Sequence, residues 1–327
     1  MNREPVYDGI RGFAFLLVLS IHGFAICYDG AFRYLQGCGK YGVWLFFVLS
    51  SFLLTKNYLI PNGNKLEYVV ARIFRILPLY FICCLTYVFL GIIKPAGFDW
   101  VMLLIAQFGA IHLWTIPVEF YFYAILLALW MVNNTITRDV IFLLCSLISL
   151  AVLLLYSKDE NSTNTLWYLA PFCVGYFLAR TWDYLPVVKC GDILASIVLF
   201  IFIILNPGIQ YIILDIEPSP YLMNMYFPLS IIWGFFIYVV GKSKPNLANN
   251  LLSSRLMTFL GGISYSGYLF HVLVMVKLKE LMGTGIITVV LSIILSIILA
   301  YIVSSLVERP VYKVRRKIIR VYKSISI

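Results

Sequence analysis

The residues best able to do chemistry lie near the start of the chain. Asp8, Arg11 and His22 fall within an otherwise apolar stretch, YDGIRGFAFLLVLSIHGF, from Tyr7 to Phe24. Read as a helix, at about 100° per residue, this stretch turns Arg11 and His22 to within about 20° of each other and Asp8 to within about 60° of both. One stripe therefore holds a carboxylate and a guanidinium near its start and an imidazole about 16 Å further along. Ionisable groups are costly in hydrocarbon and usually face a protein interior or a wet cavity. A guanidinium can fork onto phosphate oxygens, and an imidazole can move a proton or hold an acyl group. The plainer alternative is an interhelical packing site with a satisfied histidine, and in that alternative Asp8 simply pairs with an arginine.

Two other stretches offer matching chemistry. In KLEYVVARIFRILPLY, Arg72 and Arg75 stand at i, i+3 and share one helix face. They could clamp phosphates or lie on anionic lipid as part of a basic amphipathic segment. Pro78 is expected in the first turn of the span that follows. In IHLWTIPVEFYFYAILLAL, Pro117 suits a first helical turn with Thr115 as its cap, which puts Glu119 where the helix N-terminus favours negative charge. Glu119 is either functional or a structural partner for an Arg or Tyr on another helix. His112 lies just ahead of that helix. The third histidine, His271, sits in GGISYSGYLFHVLVMVK, and a lone membrane histidine is often an interhelical hydrogen-bond partner.

These groups need helices to position them, and the composition supplies little else. Of 327 residues, 62% are hydrophobic and 12% charged, with a mean hydropathy of +0.92. Soluble domains run at about a quarter charged, so the chain reads as an all-α polytopic membrane protein. The first apolar stretch lacks the short apolar core and small-residue cleavage site of a signal peptide and is expected to be retained. Apolar runs of spanning length fall at about 7–28, 41–60, 77–93, 116–132, 138–156, 166–182, 190–206, 221–241, 257–278 and 284–306. That is about ten transmembrane helices. The run 99–111 is too short to span and reads as re-entrant or interfacial. The stretch from Asn206 to Tyr221, rich in proline and acidic residues, reads as an external loop over the outer mouth.

Ten spans put both termini on one side, and the basic residues say which. With the N-terminus inside, the inner segments hold Arg3, Lys65, Arg72, Arg75, Arg138, Arg180, Lys189, Lys242, Lys244, Arg255 and the basic tail from Arg309. The opposite side holds only Arg33, Lys40, Lys94, Lys158, Lys277 and Lys279. The positive-inside rule therefore places both termini in the cytoplasm. A net charge of +10, gathered at segment ends and in the tail, suits an anionic leaflet and does not point to nucleic acid. The seven cysteines show no metal-type spacing, and no metal site is expected. Cys27 and Cys38 flank one external loop. The spacing gives no disulfide framework.

Taken in order, the segments resemble acyltransferase family 3, the bacterial membrane acyltransferases of surface polysaccharides. YDGIRGFAFLLVLSIH is similar to the family's opening L-D-G-x-R-G-x-A-x-x-x-V-x-x-x-H. GVWLFFVLSSFLLT is similar to G-V-D-x-F-F-V-L-S-G-F-L-I-T, and ARIFRILPLY to R-x-x-R-I-x-P-x-Y. HLWTIPVEFYFY resembles H-L-W-S-L-S-V-E-E-Q-F-Y, ISYSGYLFH resembles I-S-Y-S-x-Y-L-x-H, and VERP resembles the terminal E-R-P. Trp44 replaces the usual Asp, Ser51 the usual Gly and Phe120 the second Glu. The resemblance implies a bacterial cytoplasmic (inner) membrane enzyme whose single integral-membrane domain fills 1–327, with a basic cytoplasmic tail from about 309 and without the soluble hydrolase-like C-terminal domain of many relatives.

It further implies an acyl-CoA donor, most often acetyl-CoA, and an acceptor hydroxyl on an extracytoplasmic or lipid-linked glycan. By matching position the essential residues are Arg11, His22, Arg72, Arg75 and Glu119. The expected division gives cofactor binding to Arg11, Arg72 and Arg75 at the cytoplasmic mouth. His22 then acts as general base or acyl carrier, with Glu119 orienting or stabilising its imidazole. One passage across the lipid is expected to join the arginines to His22. The competing class is a transporter or flippase whose buried charges line a solute path, although the chain shows no repeat of the kind such folds carry.

Overall fold

The computed structural model describes residues 4–35, 37–59, 63–155, 162–216 and 226–325. Its α-helices, in order, are α1 (Pro5–Cys27), α2 (Lys40–Tyr58), α3 (Lys65–Phe89), α4 (Asp99–Leu104), α5 (Thr115–Met131), α6 (Thr135–Leu155) and α7 (Leu169–Thr181). They continue with α8 (Gly191–Leu205), α9 (Pro207–Leu214), α10 (Tyr226–Lys242), α11 (Leu247–Leu252), α12 (Arg255–Met282), α13 (Ile286–Val303) and α14 (Arg309–Ile325). The protein is all-α, and in the described residues each of the ten apolar runs overlaps a helix, the run 77–93 meeting only the later part of α3. Among the described residues, four of these helical stretches are long and apolar enough to cross a membrane, or five if α8 and α9, bent by 71° at Asn206, form one broken span. Arg3 and Lys158 of the charge balance lie outside the described residues.

The chain forms two compact units, Met1–Leu53 with Val174–Tyr301, and Leu54–Cys173 with Ile302–Ile327. In the first unit α1 begins at Pro5, a residue whose fixed φ and missing N–H suit a first turn. At about 1.5 Å per residue its 23 residues exceed the roughly 30 Å of a hydrocarbon layer. Helix α12 starts where the Ser254 hydroxyl accepts from the Met257 amide at 3.3 Å, and stops at Gly283, which takes the left-handed φ of 74°.

Helices α1 and α12 meet backbone to backbone. A methyl group at Gly12 would fall 2.2 Å from the Met257 carbonyl oxygen, and one at Gly261 would fall 1.8 Å from that of Asp8. At Gly9 the obstacle is the Leu252 carbonyl of α11, at 1.6 Å, and further along Gly267 makes room for the Phe15 ring. In lipid no hydrophobic force draws helices together, so this close van der Waals approach through small residues is what joins them. Phe15, Leu19, Leu260, Ile263 and Met275 fill the seam and are buried.

In the second unit α3 is one continuous helix of 25 residues, capped where the Asn64 side chain accepts from the Glu67 amide at 2.9 Å. Pro78 therefore lies inside α3 and does not open a new span. A proline there removes one backbone bond, a loss that apolar membrane helices tolerate when neighbours compensate. Phe122 of α5 stacks on Phe172 of α7 with ring centroids 3.8 Å apart, and the Thr165 hydroxyl donates to the Val118 carbonyl at 3.2 Å. After α13 the chain makes one π-turn, Ser304–Glu308, before α14. Such turns insert a residue into the helical register and recur at functional sites.

The stretch after Asn206 is not simply loop. Asn206 caps α9 by accepting from the Ile209 amide at 3.1 Å, Pro207 takes the first position, and Asp215 ends the helix at φ 54°. The remainder of the expected outer loop, 217–221, lies outside the described residues.

Candidate functional site

In the first unit the α1–α12 seam ends in a pair of imidazoles. His22 Nδ1 lies 2.7 Å from His271 Nε2, and the two rings are parallel with centroids 5.0 Å apart. His271 is fully buried, and its Nδ1 lies 2.7 Å from the Tyr268 carbonyl oxygen one turn earlier. His22 is half-buried, and Gly39, at the threshold of α2, packs against the Nε2 edge of its ring. An interhelical hydrogen bond in a membrane protein contributes on average about 0.6 kcal/mol. The pair is therefore held by the glycine seam, and its own bond adds little to the stability of the unit.

Nearer the start of α1, Arg11 Nη1 and Asp8 Oδ1 form an ion pair at 2.6 Å, as the i, i+3 spacing suggests. Cys38 is the thiol closest in sequence to Gly39. It is buried, and burial pushes it up to about 11, so at neutral pH it is a protonated thiol and a poor nucleophile. All seven cysteines are free, Cys27 included.

In the second unit α3, α5 and α14 bring carboxylates, tyrosines and guanidiniums into two chains. The Tyr123 hydroxyl donates to Glu119 Oε1 at 2.5 Å, and the Arg72 guanidinium lies over the Tyr123 ring at 5.5 Å and over the Tyr58 ring at 5.7 Å. In the second chain Tyr312 donates to Glu308 Oε2 at 3.2 Å and accepts from Arg75 Nη1 at 3.3 Å, while the Arg315 guanidinium stacks on the Tyr312 ring at 5.1 Å. Glu308 belongs to the π-turn and is buried. Arg72 Nε and Arg315 Nε are buried without a hydrogen-bond partner. Guanidiniums stacked on tyrosine faces are held flat with N–H groups to spare, which suits them to planar, multi-oxygen anions.

Thus Arg11 and His22 belong to the first unit, and Arg72, Arg75 and Glu119 to the second. Helix α5 starts at Thr115, so Thr115 is its first residue and not its cap, and Glu119 lies beyond the first turn. Its carboxylate is held by the tyrosine four residues on, without help from a helix end. His112 stays outside regular helix, buried beside Tyr87 with ring centroids 5.9 Å apart.

Residues 5–308 match the family model described as an acyltransferase domain, acyltransferase family 3. The chain belongs to acyltransferase family 3. It is similar to the O-acetyltransferase OatA of Staphylococcus aureus, in strains NCTC 8325 / PS 47 and COL alike, at 23% identity over 309 residues. The match takes in 82% of this chain and 50% of each relative, so the chain spans about half the length of the curated relatives it matches. No solved structure matches.

Membership in family 3 makes the residues around the expected set easier to place. His271, expected only as an interhelical partner, meets His22, Tyr123 meets Glu119 and Tyr312 meets Arg75, while Glu308 and Arg315 enter through Tyr312. Glu308 is the second residue of VERP and His271 closes ISYSGYLFH, so both stood in family-like motifs without a named partner to give them meaning. The available signal for His271 was the glycine pattern, Gly9 and Gly12 on α1 with Gly261 and Gly267 on α12, which marks two helices built to touch.

Proposed function

We propose that this protein is a membrane O-acyltransferase that moves an acyl group, acetyl by preference, from acyl-CoA to a hydroxyl of a cell-surface or lipid-linked glycan. It would act as one integral-membrane domain with about ten spans and cytoplasmic termini, in a bacterial inner membrane. Family membership supports the reaction class. One observation supports a chemical centre at His22: it is held through one ring nitrogen by His271, and the edge carrying its other nitrogen lies against a glycine.

The proposed chemistry at His22 balances. The acceptor hydroxyl gives its proton to Nε2 as its oxygen attacks the thioester carbonyl, the C–S bond breaks, and the departing CoA thiolate takes the proton from the imidazolium. In the covalent variant Nε2 attacks first and the thiolate leaves, and the acyl-imidazole then passes its group to the hydroxyl oxygen, whose proton goes to the CoA thiolate as Nε2 recovers its lone pair. Either way the reacting atom is Nε2. For the donor we assign Arg72 and Arg75, joined by Arg315, to the nucleotide phosphates. Glu119 enters the set through Tyr123, whose ring it fixes against Arg72. Arg11, already paired with Asp8, is proposed as an additional donor contact.

Purified protein supplied with labelled acetyl-CoA and glycan should form labelled glycan, and His22→Ala should lower turnover by about 10²-fold or more, the usual worth of a positioned acid–base group. A wild-type protein that forms no covalent product while moving glycan across a vesicle would establish the transporter reading instead. Near-normal turnover in His22→Ala would remove His22 from the chemistry.

A further inference from the structure

Two residues beside His22, one with a ring and one with no side chain at all, decide how it can react. We infer that His271 fixes the tautomer of His22 so that Nε2 is its lone-pair nitrogen, and that Gly39 keeps a side chain off the ring face beside that nitrogen, so that the ring can meet the acceptor hydroxyl or the acyl carbonyl. The inference rests on the acyltransferase reading and deepens it.

The argument starts from a carbonyl, which can only accept. His271 Nδ1 lies 2.7 Å from the Tyr268 oxygen, so Nδ1 is the nitrogen that bears hydrogen. A neutral imidazole has one donor and one acceptor, which makes His271 Nε2 the acceptor. The group facing it at 2.7 Å, His22 Nδ1, must then donate. By the same rule His22 Nε2 is left with its lone pair. Three polar groups, Tyr268, His271 and His22, thus form a directed chain whose direction is set by the one member unable to reverse. A neighbour that bonds one nitrogen of a reactive histidine and so fixes its tautomer is a recurring device, because the wrong tautomer presents an N–H where a base or nucleophile is needed.

Gly39 addresses the other nitrogen. A Cβ built there would stand 2.5 Å from His22 Nε2, 3.0 Å from Cδ2 and 3.2 Å from Cε1. By these distances the absent methyl would press on the face of the ring at its Nε2 edge, well off the in-plane lone pair, so a glycine here leaves that side of the reacting atom free of a side chain. Gly39 does not need glycine for its backbone, since its φ is not in the left-handed region. Its carbonyl makes the opening bonds of α2, accepting from the Gly42 amide at 3.1 Å and the Val43 amide at 3.4 Å. An alanine there is compatible with the helix start and would act through the occupied space. His271 is a positioning residue, and Gly39 is a specificity residue that admits the substrate.

The chain has three histidines, so the tautomer can be read directly. Nitrogen-15 NMR of histidine-labelled protein in lipid, with His22→Ala to assign the signal, should show His22 protonated at Nδ1 and bare at Nε2. A bare Nδ1 overturns the inference, whatever the activity. In turnover assays with acetyl-CoA, His271→Leu should lower kcat by about 100-fold with an unchanged KM for the donor, and His271→Gln, which keeps an acceptor, should recover about 10-fold of it. Gly39→Ala should lower kcat at least about 10-fold while His22 keeps its tautomer signal. Wild-type kcat in both His271→Leu and Gly39→Ala would also overturn it. If the wild-type protein transfers no acyl group yet shows the stated tautomer, the proposed reaction fails and the fixed polarity of the pair stands.

Discussion

The two units hold their polar groups in opposite ways. In the first, short rigid rings are set by the approach of two helix backbones, and the glycines of the α1–α12 seam fix where His22 meets His271. In the second, long guanidinium side chains are set by other side chains: Arg72 and Arg315 are laid on tyrosines and Arg75 is bonded to a tyrosine hydroxyl, and Tyr123 and Tyr312 are in turn tied to carboxylates. A reacting nitrogen tolerates little displacement, so it suits a mount with few degrees of freedom. A cluster that recognises a large, flexible anion needs orientation more than position, and stacked arginines provide that.

The contrast can be broken by mutation. The largest effect should come from Gly12→Leu, which forces a side chain into the Met257 backbone. Overpacking of a tight core costs about 1–3 kcal/mol or more, and here backbone must move. Folded protein should be lost, seen as low yield and a lowered Tm in detergent. A stable, active variant would show that the seam does not position the histidines.

Next, Arg72→Ala should raise the KM for acetyl-CoA by about 10- to 100-fold at little change in Tm, since a charge-assisted hydrogen bond is worth about 1.5–3 kcal/mol. Unchanged donor affinity would return this face to a role on anionic lipid. The smallest effect belongs to Tyr312→Phe. It deletes the hydroxyl between Arg75 and Glu308 but keeps the ring under Arg315, so the donor KM should rise only a few-fold, about 1 kcal/mol. A loss as large as that of Arg72→Ala would mean that hydrogen bonding, and not stacking, orders the second unit.

How much of this was legible in the chain follows from the same contrast. Periodicity and length located the helices, because both are local properties. The stripe of Asp8, Arg11 and His22 was legible for that reason, and so was the pairing of Asp8 with Arg11 one turn away. The partner of His22 is 249 residues distant: the chain offered His271 as an interhelical partner without saying of what, and the glycines that let the helices touch supply the match. Local turn chemistry misled at Pro78 and Thr115. Both suited a helix start, but α3 runs straight through the first, and the second is already inside α5. In an apolar surrounding a continued helix satisfies more backbone groups than a new start does, and that outweighs residue preference. The tail shows the same limit. Its positive charge was plain, whereas the use of Tyr312 and Arg315 depends on which side of α14 meets α3.

That last question is decided by the π-turn at Ser304–Glu308. A π-turn carries one residue more than the α-helix it interrupts, and one residue is about 100° of azimuth. The residues after it are thereby dialled around the axis by more than a quarter circle from where an uninterrupted α-helix would put them. Tyr312 and Arg315 owe their facing to that offset, so the shortest edit able to unmake the second cluster is the deletion of one residue upstream of both, with neither of them touched.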